Sequence, residues 1–154
     1  MFSNSSKYAL KAVLYLAVNA SESNKIMAKN LSEPINVPQA YISKLLQDLT
    51  KHGVVSSTRG PNGGFYLNEK NMATPLINVI TIIDGDSNLN ACLLSINRCN
   101  SDHPCPLHDF AASYRENLLD NLEHKTIEDM VKDIKNEKSF LPFYHRTQSF
   151  YLKI

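Results

Sequence analysis

Ile42, Leu45, Leu46 and Leu49 recur at i, i+3, i+4 and i+7, so they share one face of a helix. The other face carries Ala40, Ser43, Lys44, Gln47 and Lys51, short, amide-bearing or basic, with no carboxylate at its centre. Pro38 has no backbone N–H to lose and suits the first turn of this helix, and Gly53 after His52 stops it. Val54–Arg59 and Phe65–Leu67 then flank Gly60-Pro61-Asn62-Gly63-Gly64, the pattern of a hairpin with arginine at its tip. A helix with a polar outer face leading into a basic hairpin predicts a winged helix-turn-helix. Its helix would enter the DNA major groove and its wing would lie over the backbone or minor groove.

The flanking patterns predict a mainly α chain around that unit. Ser5 or Ser6 can cap a first helix over about Ser6–Asn19. It is apolar nearly all round and is expected to be buried. Ile26–Glu33 reads as a short second helix, with Ala28 and Leu31 inward and Pro34 ending it. Thr74-Pro75 reads as N-cap and first helical residue of a helix striped by Leu76, Val79, Ile80 and Ile83, stopped at Gly85. Asp86–Cys105 shows no periodicity and reads as a loop of about twenty residues, long enough to be functional. Leu107, Phe110, Ala111, Tyr114, Leu118 and Leu122 stripe a helix of about 18 residues, read as a core helix or, since it lies outside the compact head, a dimerisation helix. Thr126 with Asp129 is spaced as a capping box for a last helix to about Asn136. Phe140–Ile154 is an aromatic-rich tail. The division expected is a winged-helix head over 1–85, a cysteine-bearing loop over 86–105, two helices over 106–136 and a tail over 137–154.

Composition changes this picture only through its distribution. The 154 residues are 43% hydrophobic, which fits a globular chain, and the net charge is only +1. Residues 1–70 hold eight Lys/Arg against four Asp/Glu, and residues 71–154 hold eight against eleven. A basic first half and an acidic second half suit a DNA-contacting head on a body that avoids DNA. No apolar run is long enough to span a membrane, and none has the flanks of a signal peptide. The expected setting is the cytoplasm, where the three cysteines stay reduced.

Those cysteines carry the candidate chemistry. Cys92, Cys99, Cys105 and His108 are spaced C-x6-C-x5-C-x2-H, within one stretch of the chain. Three thiolates and an imidazole suit an iron–sulfur cluster or zinc. The wide gaps differ from the two-to-four-residue pairing usual in structural zinc sites. His103 is an alternative ligand, placed before Pro104 in extended backbone. A thiol enzyme using Cys105 and His108 is disfavoured, because nothing supplies an oxyanion hole or a nucleotide-binding loop.

Several of these stretches together are similar to the Rrf-type family of bacterial winged helix-turn-helix regulators, with its IscR-like and NsrR-like branches. They are Ser6-Lys7-Tyr8-Ala9-Leu10, Tyr41-Ile42-Ser43-Lys44-Leu45-Leu46 with Leu49, the run from Gly53 to Phe65, the three cysteines, and Leu107-His108. The resemblance covers about residues 5–136. It implies a homodimer crossed along a long helix through Leu107–Leu122, bound to an inverted-repeat operator in double-stranded DNA. Pro38, Gln39, Ala40, Tyr41, Ser43 and Lys44 on the helix, and Arg59, Gly60, Gly63 and Gly64 on the wing, would face that DNA. The C-x2-H ending resembles the IscR-like set of three cysteines and one histidine around a 2Fe–2S cluster. NsrR-like members take an N-terminal aspartate instead, at a place that falls near Lys7 here. Ala40 and Ser43 depart from the family at base-reading positions, which bears on the DNA sequence read. The x6 first gap replaces x5, which bears on cluster type. The alternative is a member of the same family with zinc or no cofactor, sensing oxidation through its thiols.

Overall fold

The computed structural model describes residues 2–142, apart from the side chains of Ser87 and Asn88; the tail beyond residue 142 lies outside the described residues. The helices are α1 (Asn4–Asn19), α2 (Ala28–Ile35), α3 (Gln39–Lys51), α4 (Glu69–Met72), α5 (Leu76–Asp84), α6 (Asp86–Leu89), α7 (His108–His124) and α8 (Ile127–Lys135), with strands β1 (Ser56–Thr58) and β2 (Gly64–Tyr66) between α3 and α4. The predicted mainly α chain with a hairpin wing is the fold observed.

α1 is the hub. Its small, apolar Ala9, Ala12, Val13 and Leu16 are fully buried, and α2, α3, α5 and α8 all pack on it. The helix begins two residues earlier than its periodicity suggests, because Ser3 rather than Ser5 or Ser6 is the N-cap, accepting from the Ser6 N–H at 3.1 Å. Ser3 is itself held by Asp84 at the end of α5, to which both its N–H and its hydroxyl donate.

α2 is shifted along the chain from the predicted Ile26–Glu33. Ile26 is drawn out of it into an antiparallel bridge with Phe65, its N–H donating to Phe65 O at 3.0 Å and its carbonyl accepting from Phe65 N–H at 2.8 Å. Pro34 lies inside α2 rather than ending it. Only one helical residue follows it, so the helix stops almost at once after it. The turn is made by Asn36 in the left-handed region (φ 58), a residue that tolerates this better than most. Val37 N–H then reaches back to Ser32 O, and the Ser32 hydroxyl donates to Val37 O.

α3 buries Ile42, Leu45, Leu46 and Leu49, as the spacing predicts. The first wing strand is shorter than the expected Val54–Arg59 and the second begins one residue earlier than expected, pairing Ser56 with Tyr66, Ser57 with Phe65 and Thr58 with Gly64. The base of the wing is tied by α4, which the sequence pattern does not announce. Asn71 is buried and satisfied on all sides. Its Oδ1 accepts from the Ser56 hydroxyl and the Asn68 N–H, and its Nδ2 donates to Gly53 O at 2.7 Å.

Thr74 and Pro75 sit one position differently from the expectation: Pro75 is the N-cap of α5 and Thr74 precedes it. Thr74 is occupied elsewhere, in a bridge between Pro75 and Thr126 where Ile127 N–H donates to Thr74 O and Leu76 N–H donates to Lys125 O. The segment after Gly85 is not wholly loop, since α6 forms its first four residues. The Thr126–Asp129 capping box is present in full, and Ile127, Val131 and Ile134 of α8 are buried. α7 is anchored at its far end by Leu122, with Leu118 and Leu119 packed on the same core, while Phe110 and Tyr114 near its start are 79% and 70% exposed. No helix among the described residues is long and apolar enough to cross a membrane.

Candidate functional site

Two places gather the residues singled out in the sequence. The first is the outer face of α3 with the wing. Pro38, Gln39, Ala40, Lys44 and Gln47 are exposed on it, and Ser43 is half-buried. Tyr41 is partly turned back: its hydroxyl is hydrogen-bonded to the Ser5 hydroxyl, and its ring meets Tyr8 edge-on at 6.1 Å. Arg59 and Gly60 stand exposed at the hairpin tip. Gly63 and Gly64 answer first to the chain itself. A Cβ on Gly63 would lie 2.3 Å from Thr58 O, and one on Gly64 would meet the Ile26 backbone at 2.9 Å. Between the start of α2, the end of α3 and the wing runs a groove of about 550 Å³, lined among others by Gln47, Thr50, Lys51, Ser57 and Arg59 and by no carboxylate. Lys51 also pairs with Asp48 at 3.6 Å, an exposed contact worth little in itself.

The second place is the thiol centre. The sulfurs of Cys92, Cys99 and Cys105 lie within 4.8 Å of one another. Cys92 and Cys105 are 3.6 Å apart, and His108 joins from one side with Nδ1 3.2 Å from the Cys99 sulfur. The chain brings them together by turning tightly: Ser95 N–H donates to Cys92 O, Cys105 N–H to the Cys99 sulfur at 3.4 Å, and His108 N–H to Cys105 O. His103 does not join them. It is exposed, in a turn closed by Asn100, whose Oδ1 accepts from the His103 N–H at 2.8 Å. Donation from the backbone N–H groups of Ile96 and Leu94 holds the Cys92 thiol at about 7, well below an ordinary thiol. Cys99 receives the Cys105 N–H, which favours its thiolate. Burial and the neighbouring sulfurs outweigh that and push it up. A cavity of about 210 Å³ is shared by the three cysteines, His108, Ala111 and Arg115. Three soft sulfurs gathered within 4.8 Å, with the His108 imidazole beside Cys99, fit the donor set of an iron–sulfur or zinc centre. The sequence reasoning missed Arg115 there; its signal is the spacing 108, 111, 115, which puts three residues on one helical face.

Helix, turn, helix and wing, with α1 beneath them, define a winged helix-turn-helix regulator. The sequence profile of the Rrf2 family, described as an iron-dependent transcriptional regulator, matches residues 2–133, and the chain belongs to that family. It is 29% identical over 133 residues to a putative HTH-type transcriptional regulator of Aquifex aeolicus, covering 85% of this chain and 91% of that protein. It is 28% identical over 127 residues to the HTH-type transcriptional regulator IscR of Klebsiella pneumoniae, covering 82% and 77%. Among solved structures it shares its fold with CymR, the global cysteine regulator of B. subtilis, at a TM-score of 0.67, 22% identity and coverage of 86% and 96%. The IscR of T. potens superposes with a TM-score of 0.66, 21% identity and coverage of 92% and 93%. The chain is a transcriptional regulator of this type, not an enzyme.

Proposed function

We propose that the chain is a homodimeric, cytoplasmic DNA-binding regulator whose grip on an inverted-repeat operator is set by a 2Fe–2S cluster held by Cys92, Cys99, Cys105 and His108. One observation carries the reading: three sulfurs, drawn from positions 92, 99 and 105, converge within 4.8 Å beside the first residue of α7. When bound, the cluster supplies a redox-active, oxidant-sensitive centre. The chain's own part is to tie the order of residues 90–107 to the start of α7, through His108. Gln39, Ala40, Ser43 and Lys44 face the major groove in this reading. Pro38 and Tyr41 set the helix entry, and Arg59 with Gly60, Gly63 and Gly64 forms the wing contact. Exposed Phe110 and Tyr114 on α7 support the dimer.

The test is anaerobic reconstitution of wild type, His108→Ala and Cys99→Ala, measuring iron, sulfide and operator affinity. Wild type is expected to bind its operator roughly 5- to 150-fold differently with and without the cluster, the usual range of coupling between two sites. Imidazole ligates in its neutral form, so the cluster is expected to be lost more readily at mildly acid pH. A full cluster in Cys99→Ala would refute the ligand set, and equal binding by both wild-type forms would refute the switch.

A second reading has a specific observation in its favour. Around one tetrahedral zinc ion with Zn–S bonds of about 2.3 Å, sulfurs sit about 3.8 Å apart. The 3.6 Å separation of Cys92 and Cys105 and the closeness of all three sulfurs match that compactness. Metal analysis and the visible spectrum of protein purified without oxygen separate the two: brown with sulfur-to-iron bands, or colourless with one zinc per chain.

A further inference from the structure

Arg115 lies two turns along α7 from His108, with Ala111 between them on the same face, and all three line the thiol cavity. Its Nη2 donates to the carbonyl of Ala91 at 3.1 Å, the residue immediately before Cys92. Among the described residues lining that cavity, Arg115 bears the one fixed positive charge, and none bears a carboxylate. We infer that Arg115 is a positioning and charge-compensating residue of the metal centre, an inference that rests on the ligand set proposed above.

Two physical effects meet in this one side chain. The first is geometric. Cys92 enters the cavity from a stretch with no helix of its own, whereas His108 rides on α7. The Arg115–Ala91 bond fastens the segment entering Cys92 to the helix that carries His108, so the first and last ligands share one frame. Partners of this kind, outside the ligands themselves, orient ligands and sustain metal affinity. The second effect is electrostatic. Three thiolates and a neutral imidazole leave either a zinc site or an iron–sulfur site with net negative charge, and reduction of a cluster adds to it. A guanidinium stays charged at every accessible pH and is more weakly hydrated than an ammonium, so it can serve beside such a centre without titrating. It favours the more negative form, and net charge is one of the settings of a cluster's potential.

The test uses full-length reduced protein as wild type, Arg115→Met and Arg115→Lys. Cobalt(II) is added to read thiolate-to-metal bands, and zinc affinity is then measured by chelator competition. Arg115→Met is expected to bind zinc roughly 10- to 100-fold more weakly, the usual cost of losing a supporting partner. Arg115→Lys should recover part of that loss. In anaerobically reconstituted protein, Arg115→Met should be reduced at a lower potential than wild type and Arg115→Lys close to it. Wild-type zinc affinity together with an unchanged potential in Arg115→Met would overturn the inference. Identical potentials in the Met and Lys variants would overturn its charge role. Absence of thiolate bands in wild type itself is a different failure: it would remove the ligand set, and the inference with it.

Discussion

Arg59 stands exposed on a tip whose backbone is fixed by the Gly63 N–H donating to Gly60 O, so its guanidinium is presented by a rigid turn. Arg59→Ala is expected to weaken operator binding by roughly 1–3 kcal/mol, the scale of one good groove contact. A gel-shift titration at fixed salt checks this, and unchanged affinity would place Arg59 off the interface. At this scale the cysteines and the wing arginine are legible in the sequence, because their chemistry and order identify them. The spacing and the resemblance also favour His108 over His103. Hidden from them is the Asn100 turn that holds His103 outward. The contacts of Tyr41 with Ser5 and Tyr8 are equally hidden, because their partners lie more than thirty residues away along the chain.

Elements are held at their ends here, and two of those ends can be tested. Asn71 joins the stop of α3, strand β1 and α4 through hydrogen bonds that no water replaces easily. Asn71→Ala strands the Gly53 carbonyl and loosens Ser56. The expected cost is roughly 1–3 kcal/mol, the penalty for an unsatisfied buried group. Thermal unfolding should show a lowered midpoint, and an unaltered one would mean the polar hub adds nothing. The other end is the Ser3–Asp84 latch. Burial alone would raise the Asp84 carboxyl, but donation from the Ser3 hydroxyl and N–H outweighs it, so the folded value lies below the ordinary 3.8. A depressed folded value means the stabilisation is full above the ordinary carboxylate range and is lost as pH falls through the lowered value. Ser3→Ala also removes the α1 cap and should cost about 0.5–2 kcal/mol near neutral pH. Its deficit should shrink when unfolding is repeated in strong acid; a deficit independent of pH would show that Asp84 takes no part. Helix positions were legible from periodicity, which is why α3, α5, α7 and α8 fall where expected. Ends and short pieces were not. Ser3, Ile26 and Pro75 are placed by partners distant in sequence, which no local pattern encodes, whereas α4 starts at a local Asn68–Asn71 capping box that its short length hides.

At the scale of the whole molecule, α7 buries Ala111 and Leu122 and leaves much of its length exposed among the described residues. Leu118 and Leu119 are committed to the core, whereas Phe110 and Tyr114 are not. Under the proposed dimer, wild type is expected to sediment as a two-fold dimer and a double Phe110→Glu, Tyr114→Glu variant as a folded monomer. The same variant should lose preference for an inverted repeat over a single half-site, because two heads are needed to read both halves. Sedimentation of an intact dimer would move the interface elsewhere.

The bridge between Pro75 and Thr126 has a consequence for tolerance to change. It ties the start of α5 to the start of α8, two helices that both pack on α1. The thiol-bearing segment between α6 and α7 lies within the stretch enclosed by that tie, and the cost of lengthening a flexible loop grows slowly, about 0.6 kcal/mol for each doubling. Adding or deleting a residue between Cys92 and Cys99 is therefore expected to pass little strain to the hairpin or to α3. The spacing and chemistry of the thiol centre are thus expected to be changeable by substitution while the wing and its helix keep their fold.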